Sequence, residues 1–246
     1  VTRWDETLDA LENPFWHALS GPQAAFGHLR KDAARYERSV AVFAALRDDT
    51  PDAWNDLSAL YAPGEVSVLF RPTTPTVPSS WSLMREGEPL QLVQLERRAA
   101  PSLPGGWTAR LLTADDAPAM QDLVRATKPG PFAERTVELG GYTGVWNERD
   151  GEPHLVAMAG LRAALPSARE ISAVCTHPEY RRLGLARALV AHLASELHAR
   201  DILPFLHVDP DNEVALRTYA TLGFVERRKI RAIVLRRAPD EAARED

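Results

Sequence analysis

The sequence predicts an α/β fold: a mixed central sheet with helices on both faces, preceded by a smaller α+β unit. Three observations predict it. Beyond residue 108, strand-like and helix-like segments alternate. The proline- and glycine-bearing stretch ERRAAPSLPGGW (96–107) separates that alternation from what precedes it. Residues 51–95 read as one helix followed by three strands. The division falls at 103/104, giving an N-terminal α+β domain of residues 1–103 and a second domain of residues 104–246.

In the first part, Trp54, Leu57, Leu60 and Tyr61 recur with helical spacing through 51–61. EVSVLF, WSLMRE and PLQLVQL read as strands, and RPTTPTVPSS (71–80), with three prolines, as an extended exposed loop. In the second part, ARLL (109–112) is a short strand. Residues 114–128 form a helix, with Thr113 as its N-cap and Pro129-Gly130 as its stop. Strands at 142–148 and 154–163 join through Arg149-Asp150-Gly151, a hairpin turn. A strand at 169–176, a long helix at 184–199, a strand at 204–209, a helix at 212–222 and a final strand at 229–237 complete the order.

Composition narrows the class. A chain of 246 residues allows one or two domains, and 45% hydrophobic with 26% charged residues suffices for a sizeable core. A net charge of −5 argues against a nucleic-acid-coating protein. Only three of the 29 basic residues are lysines (Lys31, Lys128, Lys229), so an arginine cluster weighs less as a binding signal than it would elsewhere. The single cysteine, Cys175, excludes an internal disulfide framework and a Cys-rich zinc site, and the histidines show no metal-binding spacing. No stretch approaches the roughly 18 to 20 apolar residues of a membrane span, and the acidic N-terminus carries no targeting pattern. A cytoplasmic setting is expected, without metal, nucleic acid or membrane.

One stretch carries more information than the rest. In CTHPEYRRLGLARALV (175–190), Leu185, Leu189, Leu193 and Leu197 recur every four residues along the helix that follows, which accounts for burial. Burial does not account for Arg181, Arg182 and Gly184. They stand where the first backbone N–H groups of the helix have no intrahelical partners, and such groups hold anions. The helix dipole adds only about 0.3 to 1 kcal/mol. Micromolar binding needs about 8 kcal/mol, so several N–H bonds to charged oxygens are required. A solvated basic turn is the other reading. No G-x-x-x-x-G-K-[ST] and no G-x-G-x-x-G occurs.

Arg181-x-x-Gly184-x-Ala186, directly after EISAVCT and His177-Pro178, resembles the pyrophosphate-binding signature R/Q-x-x-G-x-G/A of the GNAT acyltransferase superfamily. A second segment, HVDPDNEVALRTYATLGFVE (207–226), resembles the superfamily pattern N-x-x-A-x-x-x-Y-x-x-x-G-F through Asn212, Ala215, Tyr219 and Gly223-Phe224. The likeness covers roughly residues 108–237 and looks closest to the glycine N-acyltransferase-like branch.

That resemblance implies a GNAT fold and acetyl-CoA as co-substrate. The main chain of Val174, Cys175 and Thr176 would pair with the pantetheine arm. Arg181, Arg182, Leu183, Gly184, Leu185, Ala186 and Arg187 would surround the pyrophosphate, and Asn212 and Tyr219 would complete the cofactor-binding set. Glu170, eleven residues before Arg181, matches the spacing of a catalytic glutamate in the superfamily. Strand alternation puts it on one face with Ser172, Val174 and Thr176. It reads either as the general base or as a solvated edge carboxylate. Tyr219 reads as a general acid for the departing thiolate or as a packed core tyrosine. Cys175 is a small buried side chain, and His207 and Asp209 either line the acceptor site or are satisfied structurally.

The function these residues imply is acyl-CoA-dependent N-acetyl transfer by direct attack in a ternary complex. The acceptor is a small-molecule amine, an amino acid or a peptide. A CoA-binding regulatory module without turnover is the alternative. The basic strand ending in Arg236-Arg237 leaves a homodimer open.

Overall fold

The computed structural model describes residues 3–149 and 151–239. In chain order the first half comprises α1 (Asp5–Ala10), α2 (Pro14–Leu19), β1 (Gly27–Arg30), β2 (Ala33–Tyr36), β3 (Phe43–Leu46), α3 (Pro51–Ala59), β4 (Val66–Arg71), β5 (Trp81–Gly87) and β6 (Leu90–Val93). The second half comprises β7 (Ala109–Leu111), α4 (Ala117–Thr127), β8 (Thr143–Arg149), β9 (Glu152–Ala164), β10 (Ala168–Thr176), α5 (Leu185–Ala199), β11 (Leu203–Val208), α6 (Glu213–Thr221), β12 (Val225–Lys229) and β13 (Arg231–Arg237).

Local chemistry explains the element ends. Thr50 Oγ1 accepts from Ala53 N at 3.2 Å, and Pro51 opens α3, where its missing N–H costs nothing. Thr113 and Asp116 form a capping box over a single 3₁₀ turn before α4, and Lys128 closes that helix in the left-handed conformation. β8 and β9 pair antiparallel down to Arg149 and Glu152; the predicted turn between them includes Asp150, which lies outside the described residues.

Two sheets form, ordered β1-β2-β3-β4-β13-β5 and β12-β6-β11-β10-β9-β8-β7. Each half lends a strand to the other. β6 sits between β11 and β12 of the second sheet, and β13 sits between β4 and β5 of the first. The predicted strand at 229–237 is therefore two strands. It breaks at Ile230, which is fully buried and whose N–H bonds Pro89 O at 3.0 Å while the chain passes from one sheet to the other. The C-terminal strand has both edges occupied within the chain, so it offers no edge to a second copy.

A shared apolar core joins the halves. Leu11, Phe15, Phe43 and Phe70 pack in one cluster with Ala163, Leu165, Leu203 and Phe205. α5 and α6 cover one face of the second sheet, where Leu185, Leu189, Leu193, Leu197, Tyr219 and Phe224 meet Ile171 and Leu206. On the other face α4 packs Met120 and Leu123 on Met158, Tyr142 and Cys175.

Candidate active site

The second sheet is split along its middle. β10 and β11 run parallel and pair only through Ala168–Leu203, Arg169–Pro204 and Glu170–Phe205. Beyond that point β10 continues to Thr176 and β11 to Val208 with no pairing between them. The β10 edge from Ile171 to Thr176 thus faces an opening that an extended chain with amide groups can enter.

A bulge shapes this edge. Against β9 the register moves from Ser172–Gly160 to Cys175–Met158, three residues opposite two, with Ala173 at φ +51°. Ile171 and Val174 consequently both face the α5 cluster, whereas Ala173 and Cys175 face α4. Simple alternation fails here. The expectation that Glu170, Ser172, Val174 and Thr176 share one face is corrected by the extra residue, which inverts the side-chain parity after Ser172.

At the far end of β10, His177 N bonds Val156 O at 2.8 Å, a 3₁₀ turn covers Pro178–Tyr180, and Arg181 Nε reaches back to Thr176 O at 3.3 Å. Arg182 (φ +64°) and Gly184 (φ +80°) then take left-handed conformations that swing the chain into α5. Gly184 stands at the N-cap, and a Cβ there would find only Pro104 Cγ, at 3.8 Å. Arg181, Arg182, Leu183 and Gly184 are exposed, while Leu185 is buried. The first N–H groups of α5 therefore open to solvent beside two arginines, at the end of the unpaired β10 edge.

Glu170 lies on the opposite side from α5 and is fully buried, not in the opening. Arg162 grips its carboxylate through Nε at 2.8 Å and Nη2 at 2.5 Å, and His207 Nδ1 lies 2.7 Å from Oε1. Burial alone would raise this carboxyl; the Arg162 guanidinium and the bonds from Arg162 and His207 outweigh it and hold the group well below the usual carboxylate range. Arg162 in turn lies over the rings of Phe43, Phe15 and Phe70 at 4.5, 5.7 and 5.9 Å. A carboxylate so paired is a poor proton acceptor.

Tyr219 is packed in the α5 cluster with its ring 6.0 Å from Phe224, and burial pushes its hydroxyl up to about 12. Asn212 caps α6, its Oδ1 accepting from Ala215 N at 3.1 Å. Cys175 is buried and its thiol is pushed up to about 11 by that burial, which leaves it inert as a nucleophile. His207 is satisfied inside the protein, whereas Asp209 sits at the exposed end of β11, bonding Asp211 N at 2.9 Å. A cavity of about 330 Å³ lies between α4, the start of β9 and the turn that follows β10, lined in part by Asp122, His154, His177 and Tyr180.

Arg162 and Gln91 escaped the sequence reading. A charged residue near the end of the apolar run HLVAMAGLRA, eight positions before an acidic one, was the available signal for Arg162. Gln91 gave none, since its strand belongs to the other half of the chain.

Comparison with known proteins agrees with this geometry. Residues 149–233 match the family described as FR47-like protein. A crystal structure of an acetyltransferase of the GNAT family from Novosphingobium aromaticivorans is 34% identical, with a TM-score of 0.80 over 93% of this chain and 99% of that one. A GCN5-related N-acetyltransferase from Kribbella flavida shares the fold at 16% identity, with a TM-score of 0.60 over 99% of this chain and 98% of that one. A [ribosomal protein bS18]-alanine N-acetyltransferase from Salmonella typhimurium is 28% identical over 126 residues, 48% of this chain and 81% of that protein. Among the described residues, no helix is long and apolar enough to cross a membrane.

Proposed function

Because this chain belongs to the GNAT family and is an N-acetyltransferase, we propose that it moves the acetyl group of acetyl-CoA to an amine by direct attack in a ternary complex. The observation that carries the proposal is the unpaired β10 edge leading into the left-handed turn at Gly184 and the open N-terminus of α5. The residues fit the co-substrate. Thr176 Oγ1 is buried at the end of that edge without a hydrogen-bond partner among the described residues, as a site awaiting an amide would leave it. Val174, Cys175 and Thr176 would hold the pantetheine arm through main chain. Arg181 and the backbone from Arg182 to Arg187 would hold the pyrophosphate.

Acetyl-CoA supplies an activated thioester; the chain's own residues orient it and the amine. An α-amine with a pKa near 8 lies about one unit from neutral at pH 7, roughly 1.4 kcal/mol, so water suffices to take its proton. Glu170, bound by Arg162 and His207, is not needed as the base. Tyr219 is a hydrogen-bond donor to the departing sulfur rather than a full proton donor. Its hydroxyl, at about 12, lies about 3.5 log units above an ordinary thiol, and complete transfer would run uphill by roughly 5 kcal/mol.

The acceptor class we favour is an amino group of low pKa, an α-amine of an amino acid or a peptide; the Salmonella relative is named for such an alanine acceptor. The narrower glycine N-acyltransferase-like placement draws no support from the relatives found, and the proposal stays at family level. Thiol release from acetyl-CoA with a panel of α-amines and ε-amines, beside calorimetry with CoA, tests the reading. Turnover with α-amines is expected. Binding without turnover on any amine would replace the enzyme by a CoA-binding module.

A further inference from the structure

Glu170 is the last residue of β10 with a partner on β11, and His207 stands two residues past that partner, Phe205. Their side chains meet at 2.7 Å where the two strands part. Both are buried: Glu170 fully, the His207 side chain 3% exposed.

The surrounding groups fix the direction of this bond. Gln91, on the strand lent by the first half, donates from Nε2 to Leu11 O at 3.0 Å and lies with the same nitrogen 3.1 Å from His207 Nε2. Its Oε1 accepts from Arg227 Nη1 at 2.9 Å, and Arg227 pairs with Glu12. With its oxygen so engaged, Gln91 can only donate to His207. His207 Nε2 is then the acceptor, and Nδ1–H donates to Glu170. Arg162 binds both carboxylate oxygens, sharing Oε1 with His207, and is boxed by Phe15, Phe43 and Phe70 of the first half.

We propose that Glu170 and His207 are positioning residues that pin the point at which β10 and β11 separate, with Gln91 and Arg162 holding the pin, so that the N-terminal half builds the apex of the co-substrate cleft. The inference rests on the acetyl-CoA reading of that cleft. A parallel pair held by only three residue partnerships has little to stop it from parting further or closing up. A side-chain tie immediately past the last partnership supplies the stop. Neither residue touches the reacting atoms. Their effect passes through the spacing of the β10 edge.

The test uses the full chain with His207→Leu, which removes the donor, and His207→Asn, whose amide can replace Nδ1–H. Calorimetry with CoA and amide hydrogen exchange are read on each. In His207→Leu, the CoA dissociation constant should rise at least about tenfold, and exchange at 168–170, 203 and 205 should quicken about tenfold relative to β13. His207→Asn should bring both back to within about threefold of the parent. A folded His207→Leu with unchanged exchange overturns the inference. Failure of the parent to bind CoA would instead defeat the acetyl-CoA reading, and the exchange data alone would then decide the pin. Should His207→Leu not fold, Glu170→Gln decides. The pH profile of kcat/KM should keep its shape while its height falls no more than about tenfold, because the amide oxygen still accepts from His207. Loss of the alkaline rise in that profile would make Glu170 a proton acceptor and overturn the positioning role.

Discussion

The Nε atom of Arg162 lies 2.8 Å from Oε2 of Glu170, and the same guanidinium sits 4.5 Å from the centre of the Phe43 ring. The pair is thus a buried charge contact between two strands of the second half, backed by an aromatic wall of the first. Breaking such a pair by removing one partner typically costs about 3 to 5 kcal/mol, because the other charge stays buried without compensation. Arg162→Met should lose that much in denaturant unfolding. Arg162→Met with Glu170→Gln should recover to within about 2 kcal/mol of the parent. The pair also sets a pH dependence. The folded carboxyl sits below its unfolded value of about 4.3. Its contribution is therefore complete above that value and is lost as pH falls through the folded one. Stability should be indifferent to this group between pH 7 and 5 and decline on further acidification, less steeply in Glu170→Gln.

Gly184 supports the second prediction. Its φ of +80° costs an alanine about 1 to 2 kcal/mol, and the space around it is open apart from Pro104. Gly184→Ala should fold with a loss of that size, while the new methyl group stands where an anion must approach the backbone. CoA affinity by calorimetry should drop at least about tenfold. Undiminished affinity would remove the turn from the binding site.

Tyr219 separates two degrees of assistance. As a hydrogen-bond donor to the departing sulfur it is worth about 1 kcal/mol, so Tyr219→Phe should lower kcat less than about tenfold and keep the unfolding midpoint close to the parent's. A loss of a hundredfold would mean a full acid role despite the raised hydroxyl. No loss would leave Tyr219 a packing residue beside Phe224.

The second half of the fold was readable from its sequence because its strands and helices carry strong periodic patterns and punctuated ends, as at Thr113 and Gly184. β1, β2 and β3 were not. GHLR and the alanine-rich AARY and FAAL have neither alternation nor length; β1 stays largely exposed at the sheet edge, and the burial of β2 and β3 comes from α2 and α3 packing over them. In the site, the turn at Gly184 follows from a local signature, and the open β10 edge was reached only through the resemblance that signature carries. The facing of the β10 edge and the orientation of Glu170 do not follow from one, because they depend on a bulge at Ala173 and on Arg162 across the β9–β10 pair, with Gln91 and Phe43 arriving from distant parts of the chain. Periodicity counts residues along one strand and is blind to both.

The exchange of β6 and β13 leads to the last prediction, which concerns the division at 103/104. That division falls in the irregular segment between β6 and β7, where a cut would be expected to release two domains. The strands argue otherwise. Without residues 104–246, β4 and β5 lose the strand that separates them, and the first half loses Ile233 and Leu235, both fully buried in its core. Without residues 1–103, β11 and β12 lose β6, and Phe205 loses the aromatic cluster over it. Each fragment would expose the edges its missing neighbour covered, leave its own lent strand (β6 or β13) without either partner, and bare an apolar face, the combination that leads to aggregation. Residues 1–103 and 104–246 produced separately should therefore give no cooperative thermal transition, whereas the two produced together should assemble and recover CoA binding. A cooperative transition in the isolated second half, with CoA affinity intact, would show that the lent strand is dispensable, and with it the contribution of Gln91 to the apex of the cleft.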